Sequence, residues 1–459
     1  MGFTSLAFLV FFPVVLSVYL LIPGSLRKIW LLAASCVFCA SFGPSFLLVL
    51  AGSILVTFFS GLALERQKKR AEESSAWKWQ DTLLFTAMIG FHILVLGFFK
   101  YNRLGLLLPV GISFYTFQAI GYLADVRSGK TEAERNLLNF ALFQAFFPKL
   151  VQGPIERSGN LLAQIRTLPE RNLRDMERIR EGGLLLLWGL CEKLLIADRI
   201  AVPVNAVYSQ FGAFGGVEIA LATLLYAFQI YCDFAGYTDI ARGAARMLGF
   251  DLLANFRRPY LADSVQDFWR RWHQSLSSWL RDYLYIPLGG SRKGKLRRAV
   301  NIMITFLISG IWHGTGFHFL AWGGLHGLAQ IFDIKKWKLP RAVKRILVFL
   351  FVDLTWMVFR VNSLGDLKGM LTVLVTDFRL RDPAGMQLTG FEWILILLGI
   401  LIVICKDLAN ERGFGFRSWL LNRNAVIRCI IYTAMIGAVI VLGVYGAAYD
   451  TSQFLYTQF

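Results

Sequence analysis

Ser45-Phe46-Leu47-Leu48-Val49-Leu50-Ala51-Gly52-Ser53-Ile54-Leu55-Val56-Thr57-Phe58-Phe59-Ser60-Gly61-Leu62-Ala63-Leu64 is followed, after Glu65, by the basic cluster Arg66-Gln67-Lys68-Lys69-Arg70. A helix needs about 20 apolar residues to cross a hydrocarbon core, and this run supplies them before the charge begins. Similar runs recur at Thr4 to Ile22, Thr82 to Phe99, Ile346 to Phe359, Trp393 to Cys405 and Cys429 to Tyr445. The chain of 459 residues is 56% hydrophobic, with a mean hydropathy of +0.53. This composition excludes a soluble globular protein and predicts an all-α, polytopic membrane fold in a single domain spanning 1–459. The first run is too long for the core of a signal peptide and has no basic residue before it, so it is expected to stay as a helix.

The formal charge of +18 would suit nucleic acid, but its placement argues otherwise. With the N-terminus outside, nearly all loop Lys and Arg fall on the cytosolic side: Arg66 to Arg70, Arg157 to Arg180, Arg292 to Arg298, Lys335 to Arg345 and Lys406 to Arg428. The outward connections near Pro44 and from Val202 to Gly216 have none. Lys100, Arg103 and three residues between Asn362 and Gly390 are exceptions. This positive-inside bias predicts about twelve crossings, both termini extracytoplasmic, and contact with membrane lipids rather than nucleic acid. Leu137 to Val151 is apolar but too short to cross, and a re-entrant hairpin closed by Gln152-Gly153-Pro154 is expected.

Chemistry is expected between Ala235 and Pro287, and just beyond. Only five histidines occur, and an ionisable group at membrane depth defaults to a functional reading. His273 ends Phe268-Trp269-Arg270-Arg271-Trp272-His273, and His313 lies in Ser309-Gly310-Ile311-Trp312-His313-Gly314. Trp269, Trp272, Leu276, Trp279 and Tyr283 recur at helical spacing, predicting one aromatic face with Arg270, Arg271, Gln274, Ser278 and Arg281 opposite. Other signatures are missing. There is no His-x4-Asp, no Gly-x-Ser-x-Gly and no His-Glu-x-x-His. Gly289 to Leu296 falls short of a phosphate-binding loop because Leu296 stands where Ser or Thr would hold magnesium. His313 and His318 are poorly spaced as metal ligands, and no metal is expected. His92, His318 and His326 are read as hydrogen-bonded packing residues. The six cysteines, including Cys36-x-x-Cys39, are read as buried structural thiols.

Five motifs follow one another in order: Cys232-Asp233-Phe234-Ala235-Gly236-Tyr237-Thr238-Asp239; Asn255-Phe256-Arg257-Arg258-Pro259-Tyr260; Phe268 to His273; Trp279-Leu280-Arg281-Asp282-Tyr283-Leu284-Tyr285-Ile286-Pro287-Leu288-Gly289-Gly290; and Gly310 to Gly314. Together they resemble the membrane-bound O-acyltransferase family, in its bacterial branch of cell-surface polysaccharide O-acetyltransferases. The motif-rich part runs from about 233 to 326. The resemblance implies a ring of membrane helices around a central tunnel in a bacterial plasma membrane. It also implies that His313 is the catalytic histidine and His273 a second active-site position held by His or Asn. Nothing is expected to stay bound as a cofactor. The implied donor substrate is acetyl-CoA or another acyl thioester. The implied partner is an extracytoplasmic, SGNH-type esterase-like protein.

On that reading the donor's phosphates would sit among Arg257, Arg258, Arg270, Arg271 and the Arg292 to Arg298 turn, with Arg292 and Lys293 foremost in it. The same cations would equally serve topology and lipid headgroups. Trp269, Trp272, Trp312 and Gly314 would line the tunnel, with Gly314 leaving room for a ligand. Two alternatives remain at this stage: D-alanyl transfer from a carrier protein to teichoic acid, and a transporter using Glu192, Asp198 and Asp353.

Overall fold

The computed structural model describes residues 1–73, 78–101, 107–168, 175–332 and 337–444. Arg103, Arg171, Arg174, Lys335, Lys336 and Tyr445, named above within basic loops and an apolar run, lie outside them. The chain divides into two compact units: Met1–Leu186 with Ile240–Ala254, and Leu187–Asp239 with Asn255–Phe459. Every regular element among the described residues is helical.

The first unit opens with α1 (Leu6–Leu21), α2 (Gly24–Ala40), α3 (Pro44–Glu73), α4 (Lys78–Tyr101) and α5 (Ile112–Ser128). α3 and α4 are long and apolar enough to cross a membrane, and α1 is a shorter apolar helix. Leu83, Ile93, Leu94 and Phe98 on α4 point outward, the placement a lipid-facing helix requires. α3 and α5 approach closely at Gly61, where a Cβ would lie 2.8 Å from the Tyr122 ring and hydroxyl. α6 (Leu137–Ala145) and α7 (Phe147–Leu150) replace the expected hairpin limb with two short helices broken at Phe146. The break is buried: the Phe146 ring lies tilted 4.8 Å from Phe250, and Lys149 donates to the Gln144 carbonyl at 2.7 Å and to Gln118. α8 (Ala163–Arg166) follows. α9 (Met176–Leu190) and α11 (Gly216–Met247) meet here at Gly182 and Gly243, each within 2.7 Å of the other's carbonyl oxygen once a Cβ is imagined. Only glycine lets the two backbones come that close.

In the second unit the same helices meet again, Gly236 against the Gly189 carbonyl. A π-helical segment, Cys191–Ala197, leads into α10 (Asp198–Ser209). Then come α12 (Val265–Arg271), α13 (Gln274–Leu280), α14 (Gly294–His313), α15 (Phe317–Ile331), α16 (Arg341–Arg360), α17 (Leu364–Thr376), α18 (Gly390–Glu411), α19 (Phe416–Leu421) and α20 (Ala425–Leu442). α11 and α20 join α3 and α4 as the helices long and apolar enough to cross, so the chain is a multi-pass membrane protein. α11 is largely buried, whereas α20 exposes Ile430, Ile440 and Val441.

Two expectations fail in this unit. Cys405 and Cys429 are exposed rather than buried, because they sit on the outward faces of α18 and α20. The aromatic face from Trp269 to Tyr283 is not one helix. It is broken at Trp272 and His273, the latter with φ 40° and ψ 55°, since side-chain spacing alone cannot report a left-handed residue.

Candidate active site

The break at His273 is held from the Asn255 motif. The Arg257 N–H donates to the Arg271 carbonyl and the Gln274 N–H to the Asn255 carbonyl, both at 2.9 Å. The Asn255 amide donates to Thr238 at 3.2 Å, and its oxygen accepts from the Ser275 N–H at 3.4 Å. Two strands of loop are thereby buckled across the turn. α12 begins at Ser264, whose hydroxyl accepts from the Asp267 N–H at 3.1 Å. α12 ends where Trp272 plunges into the core against Phe256 and Trp356, with ring centroids 4.9 Å away in each case. His273 is then turned inward, 1% exposed, with the Phe234 ring edge-on at 4.6 Å.

His313 is the last residue of α14 and is 4% exposed. α14 and α15 cross tightly: a Cβ at Gly310 or at Gly323 would lie 2.4 Å from the Phe319 or Phe306 carbonyl oxygen. This crossing surrounds His313 with rings, Trp312 at 4.8 Å, Trp322 at 5.1 Å and Phe359 at 5.1 Å. Trp312 also lies 6.4 Å from the His273 ring. The two imidazoles therefore share one neighbour, in a site walled by indoles and phenyl rings.

A cavity of about 480 Å³ lies beside them. Trp269, Arg270, Gln274, Ser277, Ser278 and Arg281 line one wall, and Arg298, Thr305 and Ser309 on α14 line the other. Ser309 is one helical turn before His313. Guanidinium groups of Arg270, Arg281 and Arg298, with hydroxyls and amides deeper in, suit a polyanionic head and a polar, uncharged arm.

A membrane-bound O-acyltransferase family model matches residues 133–334, which include both histidines and this cavity. The probable alginate O-acetylase AlgI of Pseudomonas putida is 35% identical over 430 residues, covering 87% of this chain and 86% of that one. This chain belongs to the membrane-bound O-acyltransferase family. The peptidoglycan O-acetyltransferase of Helicobacter pylori is 33% identical over 396 residues, 75% of this chain and 73% of that protein. The teichoic acid D-alanyltransferase of Streptococcus thermophilus is 29% identical over 236 residues, 49% of this chain and 56% of that one.

In this membrane-bound O-acyltransferase the cations named from sequence separate into groups. Arg270 lines the cavity. Arg257, Arg292 and Lys293 are exposed and do not line it. Arg258 and Arg271 are engaged elsewhere. Both reach Glu411, at 3.4 and 3.3 Å, together with Arg341 and Arg345, and Arg271 also pairs with Asp267 at 2.8 Å. They fasten α12 and the loop before it to the end of α18. Arg281, which the sequence set opposite the aromatic face with Arg270 but not in the donor set, lines the cavity too, as does Arg298 at the end of the expected Arg292 to Arg298 turn.

Of the four residues expected along a tunnel, Trp269 lines the cavity, while Trp272 is a core residue and Trp312 lies near both histidines. Gly314 leaves no space for a ligand: a Cβ there would lie 2.1 Å from the Phe319 ring. The near phosphate-binding loop is a turn with Gly289, Gly290 and Gly294 at positive φ, preceded by a π-helical segment and pinned by the Asn301 amide donating to the Gly290 carbonyl at 2.9 Å. Among the described residues no three His, Cys, Asp or Glu side chains gather as a metal set. Two carboxylates of the transporter alternative are paired, Glu192 with Lys406 and Asp198 with Lys193, each at 2.6 Å. Lys193 also reaches Asp233 at 2.6 Å. His92 meets Thr57 at 3.1 Å, as a packing residue should.

Proposed function

We propose that this enzyme passes an acetyl group from cytosolic acetyl-CoA to an extracytoplasmic acceptor, for O-acetylation of a cell-surface or secreted polysaccharide. The observation that carries the reading is the arginine-rimmed cavity that ends one turn from His313, with His273 also near Trp312. Arg270, Arg281 and Arg298 hold the donor's phosphates, and the pantetheine arm runs past Ser277 and Ser309 toward the imidazoles. His313 takes the proton of an acceptor hydroxyl as its oxygen attacks the thioester carbonyl carbon. The C–S bond then breaks, and the leaving thiolate recovers that proton from His313. His273 orients the thioester or stabilises the oxyanion. The family's tunnel, within a ring of about twelve helices, belongs to this proposal. So do a bacterial plasma-membrane location, extracytoplasmic termini, and an SGNH-type partner whose serine takes the acetyl group before the polysaccharide does.

The test uses purified, detergent-solubilised enzyme with acetyl-CoA and an oligosaccharide or partner acceptor. His313→Ala is expected to cut acetyl transfer by about 10²–10⁴-fold while donor binding persists. Full activity in His313→Ala ends the mechanism. Transfer from a D-alanyl carrier-protein thioester, with none from acetyl-CoA, would replace the acetyl group with D-alanyl, the group named in the teichoic acid relatives.

A further inference from the structure

His326 has no part in the chemistry above, yet both of its ring nitrogens are engaged. The Trp269 indole N–H donates to Nδ1 at 3.2 Å, and Nε2 lies 3.0 Å from the Thr355 hydroxyl oxygen. Thr355 has one hydroxyl hydrogen, and it is donated to the Val352 carbonyl at 2.8 Å. The imidazole must therefore be the donor toward Thr355, which leaves Nδ1 with the lone pair that the indole needs. The ring is fixed as the neutral Nε2–H tautomer by partners on both sides.

This geometry does more than fill the core. α12 hangs on the inner face of α15 by bonds at two successive turns. One is Trp269 to His326. One turn on, the Gln330 amide donates to the Val265 carbonyl at 3.3 Å and the Gln266 amide to the Gln330 carbonyl at 3.4 Å. Of these links only the first places an aromatic wall of the cavity. Trp322 then ties that wall to the reaction centre, lying 5.7 Å from Trp269, 5.0 Å from His326 and 5.1 Å from His313.

We propose that His326 is a positioning residue for acyl transfer: held neutral between Thr355 and Trp269, it sets the indole wall of the donor cavity and keeps that wall packed on Trp322 beside His313. It touches no reacting atom and moves no proton. The proposal rests on reading the cavity as the donor site.

Steady-state kinetics on the full-length enzyme separate the possibilities. His326→Gln displaces the acceptor for the indole. It is expected to raise the donor KM about tenfold, with kcat at saturating donor reduced no more than about threefold, the pattern of lost binding rather than lost chemistry. The pH profile of kcat stays in place, because a ring held neutral does not titrate in the working range. Trp269→Phe gives the same KM, and the double variant is no worse than either single one, since all three lack one link. His326→Asn, whose amide oxygen falls near the Nδ1 position, recovers most of the donor affinity. Thr355→Val keeps the side-chain volume and serves if His326→Gln does not fold. It too raises the donor KM.

A collapse of kcat at unchanged KM, loss of a pH limb, additive effects in the double variant, or a wild-type KM in Thr355→Val would each overturn the proposal. Arg298→Ala distinguishes the two layers. If it leaves the donor KM unchanged, the donor reading falls and this proposal with it. If it raises KM while His326→Gln and Trp269→Phe do not, only the positioning role falls.

Discussion

At position 273 the side chain and the backbone ask for different things. The ring is buried against Phe234, while the backbone sits in the left-handed region, which Asn, Asp and His enter more readily than other non-glycine residues. His273→Asn is therefore expected to fold normally and keep measurable transfer, because an amide still donates and accepts. If it folds but is as inactive as His313→Ala, the proton-transfer role belongs to His273. Gly314→Leu is expected to fail for a different reason from the one its sequence suggests. The new side chain would enter the Phe319 ring, which lies 5.1 Å from Phe359, itself 5.1 Å from His313. Overpacking of this kind costs about 1–3 kcal/mol or more, so thermal stability in detergent should fall together with activity, whatever the donor concentration. The two histidines were legible as rare ionisable groups in aromatic surroundings. The reason for the glycine was not, because its neighbour is five residues on and faces it only across the α14–α15 corner.

Elements here are placed by polar buckles as much as by apolar stripes. Periodicity predicted one amphipathic helix from Trp269 to Tyr283 and could not register the interruption, since the bonds that stabilise it come from Asn255, Arg257 and Thr238, far away in sequence. Asn255→Ala removes two of those bonds from a buried site. A buried polar group that loses its partner costs about 1–3 kcal/mol. The expected outcome is a lower melting temperature and a fall in kcat as His273 loses its fixed turn. A melting temperature and kcat equal to wild type would mean that the turn is held by Trp272 packing alone. The arginines teach the same lesson. Sequence grouped Arg258, Arg270 and Arg271 in one donor-binding set. The fold divides them, because Glu411 draws two of them to the end of α18 and leaves Arg270 facing the cavity.

For the molecule as a whole, the helical membrane class and the family were readable from apolar run lengths and five ordered motifs. The break points between short helices were not, for they are held by residues distant in sequence, Asn255 and Arg257 at His273 and Phe250 at Phe146. The charge asymmetry makes a global prediction. In a background with Cys405 and Cys429 replaced by serine, a cysteine at Gly212 should react with an impermeant thiol reagent in intact cells, and one at Lys69 should not. The reverse pattern would put the arginine-rimmed cavity on the side away from cytosolic thioesters. The left-handed turn at residue 273 also bears on descent. Among relatives free to drift, that site is open to His, Asn, Asp and Gly, and closed to Val, Ile and Thr, whose branched side chains resist positive φ. A lineage can exchange the imidazole for an amide in a single tolerated step. It cannot reach a branched aliphatic there without giving up the turn, so the spectrum of survivors in a saturation library at 273 would record the backbone before it recorded the chemistry.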